Sequence, residues 1–219
     1  MVGEQLPHEP WASEAARPAR PTNYARSAVH FTSAVTGLVS VALLSWGWLV
    51  TVASAFAIYT WSMEIGRRVW PRLNDRLMAF YGPVAHPQER YRVNSATWYA
   101  TALLLIALFA TRPAMMAALI VLGVADPIAA FVGRRWGTRV ITAGRSLEGT
   151  LAFFVSGSLG AGAVLALAHA GTPLAVIVLA LLSGFVGALA ELFATKLDDN
   201  FTIPVAVAAV AMMATPLLA

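Results

Sequence analysis

The chain has 219 residues, of which 58% are hydrophobic and only 12% are charged. This composition excludes an ordinary soluble domain and indicates a polytopic membrane protein. No cysteine is present, which excludes disulfides and thiol chemistry. The net charge of +4 comes from arginines between the apolar stretches, where membrane orientation accounts for them, so we expect no nucleic-acid partner.

The apolar stretches predict an all-α fold with about seven transmembrane helices in one domain, residues 25–219, preceded by a flexible tail at 1–24. The predicted spans lie at about 28–44, 47–63, 96–111, 113–132, 147–169, 173–193 and 202–218. The long connection at 64–94 has Val69, Leu73, Leu77 and Phe80 at helical spacing, opposite four arginines. That pattern is typical of an amphipathic helix at the membrane surface.

The basic residues divide the connections into two sets. Fourteen of the fifteen lie in the tail and in the connections at 64–94, 133–146 and 194–201, whereas the opposite side holds only Arg112. Because basic residues concentrate on the cytoplasmic side, we predict a cytoplasmic N-terminus and, for seven spans, an outside C-terminus. Most acids share the basic side, which predicts a site facing the cytoplasm of an integral membrane protein, expected in a bacterial inner membrane. A transport path would place polar groups at several depths, so this pattern disfavours a small transporter.

The stretch 121–149 combines an acid, glycines and arginines. Asp126 lies inside an apolar span, where an ionisable group costs several kcal/mol unless it is paired and is therefore a functional candidate. Pro127 frees the carbonyl of Gly123 and is expected to kink or unwind the helix. An acid for a cation, glycines for close backbone approach and arginines for anions together predict a phosphate-and-metal site. The alternative is structural: Asp126 would pair with an arginine and the glycines would pack helices.

A second polar group follows the sixth predicted span. Glu191 shares a helical face with two glycines, and Asp198, Asp199 and Asn200 precede the next helix. One of the two adjacent carboxylates is expected to cap that helix. Because Mg²⁺ prefers one or two carboxylates with water and phosphate oxygens, Asp126 with Asp198 or Asp199 is a plausible metal pair.

Two further polar residues lie at the periphery of this region. His30 is either a site residue or a buried, hydrogen-bonded histidine. Glu64 is either a site residue or the partner of Arg67 and Arg68 within its own helix.

These motifs resemble the polyprenol kinase family, which comprises dolichol, phytol and farnesol kinases and CTP-dependent diacylglycerol kinases and is related to the phosphatidate cytidylyltransferases. The family's nucleotide motif, D-x-x-A-x-x-x-G-x-x-x-G followed by a basic spacer and K-K-T/S-x-E-G, is similar to a set of residues in this chain: Asp126, Ala129, Gly133, Gly137, Gly144, Arg145, Ser146, Glu148 and Gly149. The family's later acidic element resembles Glu191 with the run 198–204, and the likeness covers about residues 25–210. Two positions depart from the pattern: Gly144-Arg145 replaces a lysine pair, and Ala125 replaces a glycine before the aspartate.

The resemblance implies a membrane kinase that transfers the γ-phosphoryl group of CTP, or of another nucleoside triphosphate, to a lipid alcohol such as phytol, farnesol or geranylgeraniol. Mg²⁺ would be held by Asp126 and Asp199. The nucleotide would be bound by Ala129, Gly133, Arg134, Gly137, Arg145, Ser146, Gly149 and Lys196. The hydroxyl proton would go to Glu148, Glu191 or Asp198, and the residues leave this choice open, as they do the oligomeric state. His30, Glu64 and Asn200 would lie at the edge of the site.

Two alternatives use related chemistry. A phosphatidate cytidylyltransferase would bind the same cation and nucleotide but release pyrophosphate and a CDP-lipid, whereas a lipid-alcohol kinase releases CDP. A diacylglycerol or dolichol kinase would differ only in the acceptor.

Overall fold

The computed structural model describes residues 24–81, 92–142, 144–194 and 197–218 of the chain. These residues form a helical bundle with one small β-hairpin. The elements are α1 (Tyr24–Leu43), α2 (Trp46–Val69), α3 (Pro71–Tyr81), α4 (Ser95–Phe109), α5 (Arg112–Ile120), a π-helical turn (Val121–Ala125), α6 (Asp126–Trp136), β1 (Val140–Thr142), β2 (Arg145–Ser146), α7 (Leu147–Leu167), α8 (Pro173–Phe193) and α9 (Asp199–Leu218). Most of the predicted tail lies outside the described residues, and its last predicted position belongs to α1.

The described helices are consistent with an all-α polytopic membrane protein. Four stretches are long and apolar enough to cross a bilayer, namely Trp46–Val69, Arg112–Trp136, Leu147–Leu167 and Pro173–Phe193. Three shorter apolar helices cover Ser27–Leu43, Ser95–Phe109 and Asp199–Met213 in the described chain. At 1.5 Å per residue, a helix of fifteen residues such as α4 reaches about 22 Å, short of the ~30 Å hydrocarbon core. Seven spans, and the orientation of the termini, therefore stay predictions.

The helical distortion expected at Pro127 is present as a π-helical turn immediately before Asp126. Proline has no amide N–H to donate to the preceding turn, and a widened turn accommodates this without ending the helix. Arg112–Trp136 consequently continues as one stretch. Helix α1 crosses the distorted turn at Gly123, where a Cβ atom would lie 2.0 Å from the Cβ of Ala34. Only a glycine permits this approach, which brings the first half of α1 against the turn.

The connection between the second and third predicted spans, expected at 64–94, begins only after Val69. Helix α2 runs to Val69, so Glu64 and Val69 belong to α2, and the separate amphipathic helix α3 starts at Pro71. Leu73 of α3 packs beside Gly66, while Phe80 is exposed. The later part of that connection, 82–91, lies outside the described residues. The 133–146 segment was predicted as a loop, but it contains the antiparallel hairpin of β1 and β2.

Polar contacts gather at one end of the bundle. The C-terminal ends of α2 and α8 meet the N-terminal ends of α4, α7 and α9 there. At the opposite end, Arg112 donates hydrogen bonds to the carbonyl oxygens of Val41 and Leu44 and so caps α1. Among the described residues, these ion pairs thus lie at one end of the bundle and Arg112 at the other, and the side of the membrane that each end faces stays a prediction.

Candidate functional site

Arg145, on β2 just before α7, contacts α8 and α9 at the polar end. Its Nε lies 2.5 Å from Oε1 of Glu191 on α8, and its Nη2 lies 3.5 Å from Oδ2 of Asp199 on α9. Its Nη1 donates to the carbonyl oxygens of Leu192 and Ala194, at 3.4 and 3.2 Å. These carbonyls belong to the C-terminal end of α8, where the helix dipole is negative and favours a cation.

The local sequence explains how Arg145 reaches this position. Gly144 has φ +79°, a left-handed backbone conformation that glycine adopts without strain, and it turns the chain from β1 into β2. Ser146 then caps α7, since its side chain accepts a hydrogen bond from the amide of Gly149 at 3.1 Å. The helix start predicted at Ser146 is therefore confirmed.

The two adjacent acids at the start of α9 both accept from the side-chain amide of Asn200 but differ in their other contacts. Asp198 accepts hydrogen bonds from the amide and side chain of Asn200, at 3.0 and 2.6 Å, and from the hydroxyl of Ser95 at 2.8 Å. Asp198 is thus the helix cap that the sequence led us to expect for one of the pair. Asp199 is the acid that faces Arg145. The contact from Ser95 on α4 is a link that the sequence did not predict.

Asp126 lies near a histidine from α1. Its Oδ2 is 4.0 Å from Nδ1 of His30, and the two side chains are 18% and 10% exposed. This proximity follows from the crossing of α1 over the π-helical turn at Gly123. The structure therefore places the two residues together, as their assignment to one region of the site requires.

The glycines of the nucleotide-type motif lie where α6 crosses α7. A Cβ atom at Gly149 would lie 3.0 Å from the carbonyl oxygen of Ala129 and 3.3 Å from Cα of Gly133. At Gly137 a Cβ atom would lie 2.2 Å from the carbonyl oxygen of Gly133 and 2.6 Å from Oγ of Ser146. Close backbone packing accounts for these glycines, and a nucleotide contact from them stays a prediction.

Glu148 accepts hydrogen bonds from the segment that follows α6. Thr138 Oγ1 lies 2.5 Å from its carboxylate, and the amide of Arg139 lies 3.3 Å away. Arg134 is exposed at the end of α6. Lys196, the third basic residue assigned to nucleotide binding, lies outside the described residues.

Glu64 accepts more hydrogen bonds than the two pairs expected within its own helix. Arg67 and Arg68 donate to its carboxylate at 2.8–2.9 Å, which confirms the predicted pairs. The amide of Asn94 also donates, at 3.2 Å, and Arg67 reaches Asn74 on α3. Glu64 is only 2% exposed. It therefore joins α2 to α3 and to the start of α4, contacts that depend on tertiary packing.

The acids present suit a magnesium ion that is bound in part by substrate. Within the described chain, no three His, Asp or Glu side chains are grouped closely enough to hold a metal by themselves. Mg²⁺ commonly takes one or two carboxylates and completes its shell with water and phosphate oxygens. Asp126 and Asp199 offer such carboxylates from separate helices, so a magnesium site stays a prediction.

Comparison with known proteins gives one distant relative. The chain is 29% identical over 164 residues to CTP-dependent diacylglycerol kinase 1 of Saccharomyces cerevisiae, a match that covers 65% of this chain and 56% of the relative. The chain thus spans about half the length of the curated relative. No family model matches, and no solved structure matches. The chain is therefore distantly related to a CTP-dependent lipid kinase.

Proposed function

We propose that the protein is a membrane lipid kinase that transfers the γ-phosphoryl group of CTP to the hydroxyl of a lipid alcohol. The observation that carries this proposal is the cluster of Arg145 with Glu191 and Asp199, which links the strand before α7 to α8 and α9 at the polar end of an apolar bundle. A cation flanked by acids beside a hydrocarbon phase suits a reaction between an anionic nucleotide and a membrane-bound alcohol. The relative's printed name supports CTP as the donor.

The proposed reaction is an in-line displacement. The lipid hydroxyl oxygen forms a bond to the γ-phosphorus, the bond from that phosphorus to the bridging oxygen breaks, and CDP leaves. The hydroxyl proton passes to a carboxylate, with Glu148, Glu191 and Asp198 as candidates. Glu191 is favoured among them because it lies beside Arg145, the cation that we propose contacts phosphate, whereas Asp198 caps α9 and Glu148 binds the 138–139 segment. Asp126 and Asp199 would hold Mg²⁺, which offsets charge on the β- and γ-oxygens when bound.

A prenol is the acceptor that we propose, with phytol, farnesol and geranylgeraniol as examples. This choice rests on the resemblance of the 126–149 and 191–204 segments to the polyprenol kinases. Diacylglycerol is the second candidate, supported by the printed name of the distant relative. A prenol has one hydrocarbon chain and diacylglycerol has two acyl chains, so rates with a panel of acceptors distinguish the two candidates.

The test uses purified protein in detergent with γ-labelled CTP or ATP and a panel of lipid alcohols. We expect label in a phosphorylated prenol, with CDP as the second product. Asp126→Asn is the inactive control. Release of pyrophosphate with a CDP-lipid would replace the proposal by cytidylyl transfer. Failure of every acceptor with every donor would refute it.

A further inference from the structure

A cavity of about 580 Å³ lies between α1, α2, α4 and α5, apart from the polar contacts described above. Its wall on α1 is one helical face that extends from Ala28 to Val41. At 1.5 Å per residue this face is about 20 Å long, roughly two thirds of the depth of a hydrocarbon core. Apart from hydroxyl groups on α1 and Tyr99, the lining is apolar, with Phe56, Leu103 and Met115 among the larger side chains.

Two of the four hydroxyl groups of the α1 wall donate hydrogen bonds to α1 itself. Ser33 Oγ donates to the carbonyl oxygen of His30 at 2.9 Å, and Ser40 Oγ donates to that of Thr36 at 2.8 Å. These two groups therefore present little unmet polarity, so the cavity suits hydrocarbon. The exception is the inner end, where the hydroxyl of Tyr99 lies within hydrogen-bonding reach of Ser33.

The inner end of the cavity lies next to one part of the candidate site along α1. Ser33 and Val29 line it, and His30 lies between them on α1 and approaches Asp126. A chain in the cavity would therefore end in a polar group within one helical turn of the His30–Asp126 pair. This geometry matches an amphiphile with one reactive end.

We propose that this cavity binds the single hydrocarbon chain of a long-chain primary alcohol, with its hydroxyl at the Ser33–Tyr99 end. The inference rests on the proposed kinase function and specifies its acceptor. At ~30 Å³ for a group the size of water or methylene, the cavity holds about twenty such groups. That volume fits one chain of prenol length, whereas both acyl chains of a membrane diacylglycerol exceed it. The cavity would then select an acceptor by the number of its hydrocarbon chains and by the length of each chain.

The functional test places a bulky side chain at two depths. Thr36→Phe fills the cavity near the inner end and Ser40→Phe fills it further out. Val39→Phe is the matched control, because Val39 is 50% exposed and lies on the outward side of α1. Rates are measured with geraniol, farnesol and geranylgeraniol, and with diacylglycerol for comparison.

We expect kcat/KM for geranylgeraniol relative to geraniol to fall about tenfold or more in Ser40→Phe. Thr36→Phe should also reject farnesol, and Val39→Phe should keep the order of the parent protein. Equal losses for all three alcohols in a folded variant would overturn the proposal. So would diacylglycerol turning over as well as the preferred prenol in the parent protein.

A binding test separates this inference from the kinase proposal. Protein without nucleotide is photolabelled with a diazirine derivative of geranylgeraniol, and the labelled peptides are identified by mass spectrometry. We expect label on the α1, α2 and α4 residues of the cavity, with competition by free geranylgeraniol and a loss in Ser40→Phe but not in Val39→Phe. Specific labelling without phosphoryl transfer would keep the cavity assignment and refute the kinase, whereas transfer with label spread over the outer helix faces would refute the cavity.

Discussion

Replacing Arg145 by alanine separates a structural role of this residue from a catalytic one. In the parent protein its guanidinium pairs with Glu191 and also binds two carbonyl oxygens at the end of α8. Arg145→Ala leaves Glu191, which is only 12% exposed, without this countercharge. Breaking a buried pair by removing one partner costs about 3–5 kcal/mol.

The lower end of that range applies, because a fifth of the Arg145 side chain is exposed. For a chain of this size, a loss of about 3 kcal/mol lowers Tm by about 6–12 °C. The measurement is thermal unfolding of the detergent-solubilised protein, followed by gel filtration of the soluble fraction. Arg135→Ala is the matched control. Arg135 lies in the last turn of α6 and is exposed, so this variant removes one positive charge without removing a described buried ion pair.

The double variant Arg145→Ala/Glu191→Leu decides between the two roles. Removing the carboxylate together with its partner should recover most of the lost Tm. If Arg145 also binds phosphate, the Kd for CTP should stay raised in every variant that lacks it, by an amount corresponding to about 1.5–3 kcal/mol. Because Glu191 is itself a candidate base, the readout is nucleotide binding, measured by protection from thermal unfolding with CTP. Full protection of the double variant by CTP would refute the phosphate contact.

Four further predictions concern other parts of the chain. Asp126→Asn should lower phosphoryl transfer by orders of magnitude while yield and Tm stay near those of the parent, as expected when a metal ligand loses its charge. Gly137→Ala should destabilise by about 1–3 kcal/mol, because its Cβ would meet the carbonyl oxygen of the preceding turn at 2.2 Å. Glu64→Gln should cost about 3–5 kcal/mol in the same unfolding assay, since two arginines lose a carboxylate that is 2% exposed. Reporter fusions at residue 219 should place the C-terminus outside if seven spans are present.

Each of these predictions has an outcome that contradicts it. A well-folded and fully active Asp126→Asn protein would remove that residue from the site, and poor folding with normal specific activity would give it a structural role. Gly47→Ala is the matched control for Gly137→Ala, since nothing lies within 4 Å of its added Cβ. A Gly137→Ala protein as stable as this control would refute the close approach of Gly137 to Gly133 and Ser146. A Glu64→Gln protein with unchanged Tm would show that the buried pairs contribute little, and a cytoplasmic reporter would contradict the seven-span count.

The helices were predictable because each depends on residues close in sequence. The seven apolar stretches and the amphipathic α3 correspond to described helices, with boundaries shifted by a few residues. Ser146 and one of the pair Asp198 and Asp199 were recognisable as caps because capping joins residues two or three positions apart, and the structure identifies Asp198 as the second cap. The distortion at Pro127 was expected because a missing amide N–H acts within one turn. The approach of α1 to Gly123 within this turn joins distant segments, which no local pattern contains.

Contacts between distant segments were not predictable from the single sequence. Ser95 and Asp198 are 103 residues apart, and Glu64 and Asn94 are 30 apart. The hairpin was also not predicted, since β1 and β2 together comprise five residues and lack an alternating pattern. The cavity between α1, α2, α4 and α5 depends on how four helices diverge, so a lining residue such as Thr36 looks in sequence like any other hydroxyl within a span.

One departure from the family pattern has a structural reason. The sequence has Gly144-Arg145 where the resemblance leads one to expect two lysines, and this replacement keeps only one positive charge. Position 144 has φ +79°, where lysine would be strained, so glycine permits the turn that directs residue 145 toward α8. Position 145 must then serve Glu191 and two carbonyl oxygens in different directions, which the planar fork of arginine does and a single lysine ammonium does less well. The turn and the fork act together, so Arg145→Lys should weaken the link between α7 and α8 although it conserves charge.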